Sequence, residues 1–261
     1  MKIALMDSGT GLLAAAAAVR RLRPDADLIL SSDPGSMPWG PRTAEDVTAR
    51  ALAVAEAAAQ HHPDALIVAC NTASVRALPA LRARLEPGVP VIGTVPAIKP
   101  AAAGGGPVAI WATPLTTGSP YQRGLIREFA DGVHVTEVAC PGLAEAVEHA
   151  DQEAVDAAIA AAAARTPADA RAVVLGCTHY ELVADRIRDA VQQPGMPPLV
   201  LHASAGAVAA QALRRIGEVA EPEAPAVGSL TVLLSGQEGV LPASALAYEE
   251  GRLLSAVTPA R

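Results

Sequence analysis

Short apolar runs alternate along this chain with longer alanine-rich stretches of helical period, and the apolar runs tend to end in small polar residues. That alternation constrains the fold more than any other feature. A strand made of an unbroken apolar run has no polar face, so it must be covered on both sides. Intervening helices supply that cover, which is the pattern of βα units around a mostly parallel sheet. The runs 2–6, 27–30, 65–69 and 90–94 read as one series of strands, and 107–112, 133–139, 172–176 and 199–203 as a second. Segments 11–23, 43–61, 74–85, 119–130, 143–149, 152–164 and 181–193 read as helices. Runs such as "AAAAAV" and "AIAAAAAR" suit them, since alanine has the best helix propensity.

The two series can be laid over one another. Asp33 closes the second strand and Cys140 follows its counterpart 107 residues on; Cys70 and Cys177 are separated by the same 107 residues. Asp7 and Thr113, after the first strand of each series, lie 106 apart. One offset repeated at three strand ends suggests an internal duplication. The expected fold is α/β: two similar, pseudo-symmetric α/β domains with mostly parallel sheets and an active site in the cleft between them. The first comprises 1–95 with 205–261, the second 96–204. The segment "VPAIKPAAAGGGP" (95–107) reads as the link, stiffened by prolines and loosened by glycines. The tail 229–253 reads as a strand, a turn and a helix packed back on the first half.

Composition narrows the function. With 261 residues, 51% of them hydrophobic, the chain can bury a sizeable core, and scarce aromatics leave alanine and valine to fill it. A net charge of −7 without a basic stripe argues against a nucleic-acid partner. Three cysteines make a poor disulfide framework and fit a reducing cytoplasm. The start of the chain faintly imitates a signal peptide, but Asp7-Ser8-Gly9 interrupts the apolar stretch, as expected of a first strand, turn and helix. No run reaches the roughly 18 apolar residues a membrane span needs. The expected protein is soluble and cytoplasmic, with a small-molecule substrate and no membrane partner. Sequence does not fix the oligomeric state; a homodimer is carried forward as an expectation.

Two of the cysteines stand out. "LIVACNTAS" (66–74) and "VVLGCTHY" (173–180) each run from a buried strand into a thiol and then into capping residues, Asn71 and Thr72 or Thr178. A thiol between a strand and a helix meets exposed N–H groups and a helix dipole that favour its ionised form. Cys140, before Pro141, fits a small buried hydrophobe better. "CNTAS" has no adjacent histidine, C-x-H is not a usual zinc spacing, and C-x-x-C is absent. Proton transfer at both faces of one carbon does need two like groups on opposite walls, and a duplicated fold supplies them. "DSGTG" (7–11) opens the first helix but lacks the dinucleotide fingerprint; Asp7 either orients a substrate ammonium, tunes Cys70, or simply caps with Ser8. In the turn "MPWGPR" (37–42), Gly40 lets backbone N–H groups approach an anion. His179, two residues after Cys177, is the best placed of six histidines to tune a thiol. Glu148 is unremarkable by pattern.

"DSGTG", "PWGPR", "ACNTAS" and "GCTHY", in this order and spacing, resemble the cofactor-independent glutamate racemases of bacterial cell-wall synthesis, over nearly the whole chain. The resemblance implies a glutamate substrate, no metal and no pyridoxal phosphate. It implies Cys70 as the base toward D-glutamate and Cys177 as the base toward L-glutamate, with Asp7 assisting Cys70, and Glu148 and His179 assisting Cys177. Ser8, Pro38, Trp39, Gly40, Asn71, Thr72 and Thr178 match substrate-contacting positions, and Thr113 and Thr116 match a threonine pair. Departures from the pattern are Leu12 for glycine, Trp39 for tyrosine, Glu181 for proline and Ala203 for an acid. Trp39 sits where the resemblance places the side-chain carboxylate, which leaves aspartate, a hydantoin, or binding without turnover as alternatives.

Overall fold

Every residue of Ala65–Val68 is buried, and so is every residue of Ala172–Leu175. Each run is flanked by strands on both sides and covered on both faces, so each anchors a separate sheet. The computed structural model describes residues 1–256, and the chain divides into two units. One runs Met1–Thr94 and resumes at Ala205; the other is Val95–Ser204.

The first unit holds β1 (Lys2–Asp7), β2 (Asp27–Ser32), β3 (Ala65–Val68), β4 (Val91–Gly93), β9 (Leu230–Leu234) and β10 (Gln237–Gly239). Their order in the sheet is β10-β9-β2-β1-β3-β4, parallel throughout except that β10 returns antiparallel on β9. Its helices are α1 (Leu12–Leu22), α2 (Ala44–Ala59), α3 (Asn71–Arg76), α4 (Leu78–Leu85), α11 (Ala205–Arg215) and α12 (Glu249–Ser255). Alternate strand residues Ala4, Met6, Leu66 and Val68 pack with Val47, Ala51, Ala58, Ala73 and Leu81 of α2–α4. The intervening residues Ile3, Leu5 and Ile67 are equally buried, on the side where α11 meets β3 and β4 and α1 meets α11 and α12. Alanine on the helices lets them lie close to the sheet.

The second unit holds β5 (Val108–Ala112), β6 (Val135–Ala139), β7 (Ala172–Leu175) and β8 (Val200–His202), all parallel in the order β6-β5-β7-β8. This repeats the order β2-β1-β3-β4. Its helices are α5 (Ile98–Ala103), α6 (Pro120–Phe129), α7 (Leu143–Glu148), α8 (Gln152–Ala163), α9 (Thr178–Glu181) and α10 (Ala184–Val191). Ile98, Ala101, Val108, Ile110 and Val174 form one side of its core, between the sheet and α5–α6.

All eight expected strands are present, and the differences lie in the connections. The segment 95–107 is not a bare link: Ile98 and Ala101 are fully buried, and α5 packs on β5, β7 and β8. The helix expected over 74–85 begins at Asn71 and breaks at Ala77, since Pro79 has no N–H to continue it. The helix expected over 181–193 is α10, which starts only at Ala184 and is preceded by the short α9 ending at Glu181. The tail carries an additional strand, β10, and α11 was not foreseen. Residues 257–261, the end of the expected first domain, lie outside the described residues.

The tail is held by a buried clamp. Arg20, at 4% exposure, donates to the carbonyls of Pro24 (2.9 Å), Ala26 (2.7 Å) and Ser229 (2.8 Å), joining the end of α1 to the start of β9. Asp27 accepts from the Ser229 N–H (2.8 Å) and hydroxyl (2.6 Å). Gly228 passes so close that a Cβ there would lie 2.1 Å from the Ala26 carbonyl oxygen and 2.2 Å from Arg20 Nη1. Gly228→Ala therefore forces backbone to move and is expected to cost at least about 2 kcal/mol in urea unfolding. Gly206→Ala, in α11 with open space around it, is expected to be neutral or to stabilise by up to about 1 kcal/mol.

Candidate active site

In parallel sheets, ligands collect beyond the carboxyl ends of the strands, where neighbouring strands send their connections to opposite faces. In the first unit that point lies between β1 and β3, and in the second between β5 and β7. Two of the chain's three cysteines lie at those strand ends.

At the first unit, the ladder continues past β3 through the Ala69 N–H, which donates to the Met6 carbonyl (2.9 Å). Asp7 and Cys70 therefore end adjacent strands. Asp7 is fully buried, and its Oδ1 accepts from the Ser8 N–H (2.6 Å) and hydroxyl (3.2 Å). Cys70 is extended (φ −141°, ψ 118°) and 5% exposed, at the head of α3, where Asn71 and Thr72 follow it. Thr94 and Ser74 hydroxyls both donate to the Val68 carbonyl, at 2.8 and 3.2 Å, and brace the turn.

The second unit repeats this backbone. The Gly176 N–H donates to the Trp111 carbonyl (2.7 Å), and Cys177 is again extended (φ −140°, ψ 136°) at the head of a helix, α9. Gly176 is required here, because a Cβ would sit 2.7 Å from that same Trp111 oxygen. These matched bonds also revise one offset. Met6 corresponds to Trp111, so the structural counterpart of Asp7 is Ala112, and Thr113 corresponds to Ser8. The Thr113 and Thr116 hydroxyls lie 3.2 Å apart.

Around Cys177 the side chains form a chain of three. Its Sγ is 3.8 Å from His179 Nδ1, and His179 Nε2 is 3.0 Å from Glu148 Oε2. His179 and Glu148 are buried, at 2% and 7% exposure, whereas Cys177 is partly open. An ionised Glu148 only accepts, which places a proton on Nε2. Nδ1 is then left to take a proton from the Cys177 thiol or to hold one toward its thiolate. Cys140 is different: burial pushes its thiol up to about 12, so it stays neutral and packs beneath Tyr180, whose hydroxyl donates to the Cys140 carbonyl (3.3 Å). Among the described residues no group of three or more His, Cys, Asp or Glu side chains is placed to hold a metal ion.

Residues 7–210 match the family model described as Asp/Glu/Hydantoin racemase. The chain belongs to this family. It is 39% identical over 191 residues to a glutamate racemase of Roseiflexus sp., covering 71% of this chain and 70% of that one. It is 34% identical over 219 residues to a glutamate racemase of Pseudomonas putida (strain W619), covering 82% and 80%. The crystal structure of Escherichia coli glutamate racemase in complex with L-glutamate and the activator UDP-MurNAc-ala is similar with a TM-score of 0.76 and 28% identity, over 94% of this chain and 91% of that one. No described helix is long and apolar enough to cross a membrane.

Asn71 and Thr178 are buried at the heads of α3 and α9. Pro38, Trp39 and Gly40 form the loop after the 3-10 turn Pro34–Ser36. Trp39, which stands where the resemblance has tyrosine, is buried. Its ring is 1% exposed in the core cluster that contains Cys70, and its N–H donates to the Ser36 hydroxyl (2.8 Å).

Sequence reading took Asp33 only as the close of a strand. Its carboxylate accepts from Ser36, Arg50 (3.4 Å) and Ser235 (2.6 Å). Burial pushes this carboxyl up, but the hydrogen bonds from Ser235, Ser36 and Arg50 outweigh burial and hold it below the usual range. A depressed carboxyl contributes stability that is present above its unfolded value, about 3.9, and is lost as pH falls through the folded value. Asp33→Asn is therefore expected to be less stable than the wild type at pH 7, with the gap closing below about pH 4. Urea unfolding at the two pH values checks it.

Proposed function

We propose that the protein racemises glutamate by two-base transfer of the α-proton, with Cys177 as the base toward the L enantiomer and Cys70 as the base toward the D enantiomer. The observation that carries this reading is the Cys177–His179–Glu148 chain, together with the matched backbone geometry of Cys70 at the other strand end. The glutamate racemases among its relatives support the choice of substrate. The reaction requires one thiol at each face of the α-carbon. On L-glutamate, the Cys177 thiolate removes the α-proton and the Cys70 thiol delivers one to the opposite face. The reverse reaction exchanges the roles.

The barrier is high because the α-proton is far less acidic than a thiol. Donors set around the α-carboxylate must stabilise the negative charge as it develops. Ser8, Asn71, Thr72, Thr113, Thr116 and Thr178 are the hydroxyl and amide groups available for this at the two strand ends. The two thiols must also rest in opposite protonation states. The surroundings of the two thiols differ accordingly: Asp7 closes the strand adjacent to Cys70, while His179, held by Glu148, stands beside Cys177. In this reading the enzyme is cytoplasmic and supplies D-glutamate to peptidoglycan.

Incubation with L-glutamate in deuterated water, followed by optical rotation and by α-deuteration, tests the reading. Both signals are expected to change; a folded protein that changes neither overturns it. Cys70→Ser and Cys177→Ser are each expected to lower racemisation at least about 10²-fold, the range of a removed acid or base. Glu148→Gln is expected to lower kcat/KM roughly tenfold or more. Because the enantiomers have equal free energy, that loss must be the same in both directions. Trp39 in place of tyrosine favours one comparison above others: aspartate and hydantoin tested beside glutamate.

A further inference from the structure

The 33–42 loop is tied together at one small side chain. Ser36 is 4% exposed, and its hydroxyl accepts the Trp39 ring N–H (2.8 Å) while donating to the Asp33 carboxylate. Its carbonyl accepts from Arg42 Nε (2.8 Å), and the Arg42 N–H donates to the Trp39 carbonyl (3.2 Å). Asp33 is fixed in turn by Ser235 from the β9–β10 turn and by Arg50 from α2. Arg42 and Arg50 both bind Asp46, at 2.9 and 3.0 Å, which closes the ring of contacts on α2. Trp39 packs in the same cluster as Met6, Ala73 and Cys70. A hydroxyl that both accepts and donates when buried has a single working orientation, so Ser36 sets the pose of the indole. The indole sets the path of Pro38 and Gly40.

We propose that Ser36 is a positioning residue for substrate binding: by accepting the Trp39 ring N–H and donating to Asp33, it fixes the Met37–Gly40 loop whose indole packs in the same cluster as Cys70. This rests on the racemase reading above. A loop whose anchor is lost still contains the conformation that binds, at a lower population, so affinity falls by that fraction while bound substrate reacts as before.

The experiment compares wild type, Ser36→Ala, Ser36→Thr, Trp39→Phe and the double variant Ser36→Ala/Trp39→Phe, with circular dichroism as the check of folding. Ser36→Ala is expected to raise KM about tenfold for both enantiomers, with kcat within about twofold of wild type. Ser36→Thr, which keeps the hydroxyl, is expected to restore KM to within about threefold. The double variant should be no worse than the more impaired single, since both remove one interaction. In a Trp111→Phe background Trp39 is the sole tryptophan, and Ser36→Ala should shift its emission. Wild type that turns over glutamate beside an unchanged KM in folded Ser36→Ala overturns this inference alone. So does a loss confined to kcat, or a folded Ser36→Thr that fails to rescue. Wild type with no turnover of glutamate overturns the racemase reading, and this inference with it.

Discussion

Two backbone hydrogen bonds set the places of the two strand-end cysteines: Ala69 N–H to the Met6 carbonyl, and Gly176 N–H to the Trp111 carbonyl. Each extends a parallel ladder one residue beyond its strand, and each leaves a cysteine as the next residue, extended and at the head of a helix. A thiol placed this way cannot slide, because a one-residue slip of β3 or β7 would turn every buried side chain of that strand to the other face. The apolar pattern that buries the strand therefore also aims the sulfur. Gly176 shows how tight the fit is, since no side chain larger than hydrogen clears the Trp111 oxygen.

From this shared backbone the two units diverge in side-chain chemistry. Beside Cys70 stands a fully buried carboxylate, Asp7; the matching position beside Cys177 is Ala112, which carries no charge. Cys177 has instead an imidazole, itself oriented by Glu148. A strictly symmetric pair of thiols would rest in the same protonation state, which the two-base mechanism proposed above could not use. In that proposal the one-position offset between Asp7 and Thr113 in the folded strands has a chemical consequence. It puts a negative group next to one sulfur and a neutral residue next to the other.

How much of this was legible follows from range. The eight strands were, because each is a short, largely apolar run; burial on both faces is near complete in the central strands β1, β3, β5 and β7, and only partial in β6 and β8. The pairing of Cys177 with His179 was, because two residues separate them. The Glu148–His179 contact was not readable from pattern: the two are 31 positions apart with α8 and β7 between them, and only the resemblance to known racemases suggested it. α5 was read as a linker because glycines and prolines crowd 95–107, yet Ile98 and Ala101 outweigh them by filling the core against β5 and β7. The break at Ala77 was there to be seen in Leu78-Pro79, but the apolar period carried through it.

Trp39 shows where motif reading and physics part. By position it matches a substrate-contacting residue of the racemases the sequence resembles, with a ring N–H in place of a phenol. In the fold the indole is buried. An indole N–H sealed in a core must find an acceptor, and an unpaired one costs about 1–3 kcal/mol. Ser36, three residues back, is that acceptor, and Asp33 takes the proton that Ser36 must then give away. The larger ring is thus a support of the loop, held by Ser36 and packed into the core.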